Sequence, residues 1–136
     1  MNHSSTKMRS VAVERELPHP PKKVWRALTE PHFIEEWLMK NAFKPVVGHR
    51  FDLKADWGKV ECEVLAVDTH STLSYTWTDH DLKSVVTWTL TPTGSGTRLR
   101  MEQTGFRSDQ PRHYHGAKAG WPRFFDGLQQ ALERLD

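Results

Sequence analysis

The stretch Val24–Leu38, VWRALTEPHFIEEWL, decides how the rest of the chain is read. It holds two runs at helical spacing with Pro31 between them. Pro21 opens the first run, at a position where the missing N–H of proline has no helical partner to lose. Glu30, directly ahead of Pro31, is pushed out of helical geometry. The spacing predicts a helix over 21–29 with Val24, Ala27 and Leu28 inward. A second, over 31–39, carries Phe33, Ile34, Trp37 and Leu38 on its apolar side. Neither reaches the roughly 12 residues at which a helix holds on its own, so both must lean on a larger element.

Strand periodicity surrounds them. In SVAVEREL (10–17), Val11, Val13 and Leu17 share a face with Arg15, and PHPP (18–21) ends the strand. Downstream, Phe51 and Leu53 share one face, and Val60, Cys62, Val64 and Ala66 another. Leu73, Tyr75 and Trp77 alternate with Ser74, Thr76 and Thr78; Val86, Trp88 and Leu90 alternate with Val85, Thr87 and Thr89. Thr97, Leu99, Met101 and Gln103 close the series. The connections DTHS, DHDLK and PTGSG are short, which favours an antiparallel meander. After a polar segment expected as a loop, GFRSDQPRHYHG, an apolar stripe begins at Trp121 and continues through Phe124, Phe125, Leu128, Leu132 and Leu135. Pro122 within it is expected to kink or restart the helix. The sum is an α+β fold of helix-grip type. A curved antiparallel sheet wraps a long C-terminal helix, and the two short helices plug its open end.

Charge and cysteine content narrow the function classes. The 136 residues carry 19 Lys and Arg against 17 Asp and Glu, with PKK (21–23) the densest basic run, so no nucleic-acid partner is expected. The single cysteine rules out an internal disulfide and fits a reducing, cytoplasmic setting. No apolar run approaches a membrane span, so no membrane insertion is expected. Residues 1–9 read as a flexible polar tail and residues 10–136 as one domain.

The segments REL-x-x-P-x-x-VWRALTEP from Arg15, then EEWL, CEVLAVD…LSYTW, VTWTLTPTGSGTRLRMEQTGF and GW (120–121) resemble the activator-of-heat-shock-protein-90-ATPase-like family, within the START-like superfamily. The resemblance spans residues 10–135. It implies a cavity between the C-terminal helix and the concave sheet face, of the kind that takes lipids, polyketides and other apolar molecules. It also implies two further readings: a co-chaperone-like module with a chaperone partner, and a cyclase, aromatase or hydrolytic enzyme. This chain departs from relatives at Gln103 and Ala117, where many carry histidine, and at Pro122.

The expected ligand is therefore a small apolar or aromatic molecule, and the expected lining is Trp37, Cys62, Tyr75, Trp77, Trp88, Met101, Gln103, Trp121, Phe124 and Phe125. Four of these are indoles on inward faces, able to wall a ligand pocket. Arg15, a charge on an apolar face, must pair or reach water; its guanidinium fork suits a ligand carboxylate or phenolate. Gln103 offers one bond to a polar end. HYH (113–115) and DHD (79–81) are the only histidine clusters, and i, i+2 spacing does not build a metal site on a helix. Cys62 sits mid-strand on the apolar face, where a thiol stays protonated. No catalytic set, metal or cofactor is called for, and the glycines of HYHGAKAG suggest a gate before Trp121. Monomer and homodimer both fit.

Overall fold

The computed structural model describes residues 8–135; most of the expected tail lies outside them. In chain order the elements are β1 (Met8–Leu17), α1 (Pro21–Thr29), α2 (Pro31–Trp37), β2 (Arg50–Ala55), β3 (Gly58–Asp68), β4 (Thr72–Asp79), β5 (Leu82–Thr93), β6 (Gly96–Arg107) and α3 (Pro111–Arg134). The six strands form one antiparallel sheet ordered β1-β6-β5-β4-β3-β2, so four hairpins build a meander and β1 joins its far edge. This is the START-like helix-grip fold: α3 lies in the concave face and α1 and α2 pack at its end.

The apolar alternation of the strands points inward as their period requires. Leu73, Tyr75 and Trp77 of β4, Val86, Trp88 and Leu90 of β5, and Leu99, Met101 and Gln103 of β6 are all buried. Ala66 is a correction. A bulge between Val64 and Ala66 breaks the alternation, so Ala66 is exposed and Val67 packs on the core instead. Gly105 marks a second bulge, where Arg9 pairs with Phe106 and Ser10 with Thr104. Its φ of 112° and the nearness of the Lys83 carbonyl leave no room for a side chain.

Two boundaries differ from expectation: β1 already pairs at Met8 and Arg9, and α2 ends at Trp37. The larger difference is α3. Residues 111–120, expected as part of a loop and gate, are its first turns, and the helix runs through Pro122 as one element.

Arg15 explains part of that continuity. Its guanidinium donates to Asp126 Oδ1 at 2.7 Å, to Gln129 Oε1 at 2.6 Å and to the Pro122 carbonyl at 3.2 Å. It also lies over the Phe125 ring, 5.5 Å from the centroid. The charge on the apolar face thus clamps β1 to α3 beside the proline, and its donors are taken up by the helix. Charge-assisted bonds count for more than neutral ones, but partial exposure discounts them. Replacing Arg15 with Met is expected to cost about 1–2 kcal/mol in urea unfolding, with the sheet's circular dichroism retained.

Candidate functional site

The halves of α3 meet the sheet differently. From Trp121 onward its inward residues, Trp121, Phe125, Leu128, Ala131 and Leu132, are all buried. Before Trp121 none of its residues is. Tyr114 packs on Phe106 there, ring centroids 5.9 Å apart, and beside it the helix presents Gly116, Ala117 and Gly120; a Cβ built on either glycine meets nothing within 4 Å. The space they leave is a half-open cavity of about 300 Å³ between α3 and strands β4–β6.

Aromatic side chains make its inner wall. Trp77, Trp121 and Phe124 border it, with Trp77 and Trp121 centroids 5.3 Å apart and Trp121 and Phe124 5.4 Å apart. Leu82 and Met39 add apolar surface, and Trp57, 58% exposed on the two-residue β2–β3 turn, stands at the mouth. The charged groups also lie at the mouth. Arg112 has no acidic partner among the described residues, Asp79 Oδ1 meets His80 Nδ1 at 2.7 Å, and His113 Nε2 meets Asp81 Oδ1 at 3.0 Å. Hydrogen bonds from His113 and then Gln110 hold the Asp81 carboxyl below its usual range. That bond therefore supports the start of α3 at neutral pH and is lost as pH falls through the lowered value.

Gln103, 2% exposed, is the polar point of the interior wall. Trp121 Nε1 donates to its Oε1 at 2.7 Å, its Nε2 donates to Ser84 Oγ at 2.9 Å, and Ser84 Oγ donates to the Trp77 carbonyl at 2.8 Å. One chain of bonds thus ties α3 to β6, β5 and β4.

Of the residues expected to line the cavity, the fold brings together Trp77, Gln103, Trp121 and Phe124. The other six lie outside that lining. Trp88 sits between Trp37, Trp121 and Phe125 with centroids 5.6–5.7 Å away, and its indole donates to Tyr75 Oη at 3.0 Å. Trp37 Nε1 donates to the Ala27 carbonyl at 2.8 Å, and Met101 is fully buried. Burial pushes both the Tyr75 hydroxyl and the Cys62 thiol well up, which leaves each neutral. Arg15, expected as a ligand anchor, lies outside the cavity lining, bound to α3. Among the described residues, no group of three or more His, Cys, Asp or Glu is placed to hold a metal ion, and no helix is long and apolar enough to cross a membrane.

Sequence reasoning missed Met39, Trp57, Asp79, Leu82, Arg112, His113 and the Gly116–Ala117–Gly120 face. The signal for the last was present: helical phase carried back from Trp121 and Phe124 reaches 120, 117, 116 and 113. Small residues there hid it from a search for apolar stripes.

The comparisons agree with this architecture. The family model described as "Activator of Hsp90 ATPase homolog 1-like protein" matches residues 18–133. The chain belongs to that family. Among solved structures, protein MLL2253 from Mesorhizobium loti is 64% identical, with a TM-score of 0.91 over 94% of this chain and 99% of that one. DynU16, from the dynemicin biosynthetic locus, is 25% identical with a TM-score of 0.82; the match covers 91% of this chain and 47% of DynU16. The Aha1 dimer from Colwellia psychrerythraea, at 17% identity and a TM-score of 0.82 over 92% of this chain and 96% of that one, shares the fold. No curated protein matches the chain.

Two outcomes follow from the geometry. Gly116→Ala and Gly120→Ala should each raise stability by up to about 1 kcal/mol, because each removes a helical glycine without a clash; thermal melts check this. Cys62 should stay unmodified by an aromatic disulfide reagent until the protein is unfolded in denaturant, because it is buried and held as the thiol.

Proposed function

We propose that this protein binds a small, largely apolar aromatic molecule in the cavity beneath the first half of α3. The observation that carries the reading is a bare helix face, Gly116–Ala117–Gly120, bordering a cavity whose aromatic wall is Trp77 of β4 together with Trp121 and Phe124 further along the same helix. Each helical glycine forgoes about 0.8–1 kcal/mol relative to alanine. A helix that served only to cap the sheet would gain by filling that face.

The volume of about 300 Å³ lies at the lower end of the range for small-molecule sites. It suits one or two fused rings rather than a long lipid or a large polyketide. A guest gains affinity from the apolar surface it takes out of water and from ring contacts with the indoles. Trp57, largely exposed on its turn, supplies a further ring surface to whatever occupies the mouth. DynU16 comes from the dynemicin biosynthetic locus, which supports an association of this fold with biosynthetic chemistry. The lone cysteine fits a cytoplasmic binding protein, and sequestration or carriage of the guest follows from the same event.

Native mass spectrometry of the protein purified from its own host tests this. The expected result is a co-purifying molecule of low mass, held by the wild type and lost in Gly120→Leu, whose side chain occupies the cavity while the fold is kept. Protein that carries nothing, and whose melting temperature is unmoved by a panel of one- and two-ring aromatics, would contradict the reading.

A further inference from the structure

Gln103 carries a hydrogen-bond demand that the protein does not meet. The orientation of its amide is fixed by its neighbours. The Trp121 indole is a donor only, so the oxygen must face it. Ser84 spends its own proton on the Trp77 carbonyl, so its oxygen accepts, and the amide nitrogen must face Ser84. That nitrogen has two protons. One goes to Ser84, and the other has no acceptor among the described residues. The side chain is 2% exposed and borders the cavity, between Trp77 and Trp121. A buried donor without a partner is costly, and a ligand atom that receives it recovers that cost.

We infer that the cavity selects aromatic molecules bearing a carbonyl oxygen at the end that enters first, and that the second Nε2 proton of Gln103 reads that oxygen. A carbonyl meets the demand without adding a donor that would itself need a partner. The ring behind it then lies along Trp77, Trp121 and Phe124, and substituents at the trailing end face Arg112 and Trp57. Ser84 acts as a positioning residue, because it holds the amide in the orientation that leaves the second proton free. The inference rests on the cavity's being a small-molecule site and narrows the class of guest it takes.

Acetophenone and ethylbenzene have nearly the same shape and differ at the oxygen, so they separate the two levels of the reading. Dissociation constants from NMR titration should favour acetophenone by about tenfold or more, the scale of one satisfied buried donor. In Gln103→Met the ratio should fall to about one while ethylbenzene binding persists. In the wild type, one side-chain amide proton of Gln103 should move downfield with acetophenone and not with ethylbenzene; that measurement stands even where the variant fails to fold. Equal affinities with an unmoved amide proton would overturn the carbonyl preference and leave the cavity reading intact. Failure of both compounds to bind would overturn both.

Discussion

The bond from the Trp121 indole to Gln103 fixes where packing ends and the cavity begins. On one side of it α3 is a core helix, with Phe125, Leu128 and Leu132 fully buried against the sheet. On the other side the same helix lines the cavity with Gly116, Ala117 and Gly120, and with Arg112 and His113 toward the mouth. The open six-stranded sheet leaves more room than one helix fills. The chain meets that constraint with large rings in one half and leaves it unmet in the other. Arg15 reinforces the division, since it grips Pro122, Asp126 and Gln129 just beyond the junction.

The indoles accordingly do two kinds of work. Trp37 and Trp88 meet edge-to-face, Phe125 lies tilted against Trp88, and the two indole N–H groups of this cluster are each bonded, to Ala27 and Tyr75. Such a cluster specifies one packing and has no room for a guest. Trp121 meets that cluster through Trp88 and borders the cavity as well, and Trp77 packs on Trp121 beside it. Any guest therefore meets a wall that is rigid because it is anchored from behind, which lowers the ordering cost of binding.

The fold was largely legible because its elements follow period and punctuation. The prolines at 21 and 31 set both short helices, and the two-residue alternation of Leu73–Trp77 and Val86–Leu90 set the inward faces. The bulge at Ala66 was not legible, because an inserted residue leaves composition unchanged and reverses the faces after it. The site was legible only in part. Apolar periodicity reports where a helix touches a core, and the first turns of α3 touch it only through Tyr114 and Ala117. Their segment thus read as a polar loop, and the small residues that create the cavity left no apolar stripe, only the helical phase carried back from Trp121. Trp57 was missed for a related reason: its value lies in standing exposed beside the opening, which only three-dimensional placement reveals.

The six tryptophans give six indole N–H signals, and these test the division of the molecule directly. In a nitrogen–proton correlation spectrum titrated with a two-ring aromatic such as 2-acetonaphthone, the signals of Trp57, Trp77 and Trp121 should move together and saturate. Those of Trp25 and Trp37, behind the packed wall, should stay in place. A spectrum in which no indole responds, or in which Trp25 and Trp37 move while Trp77 and Trp121 do not, would contradict the account.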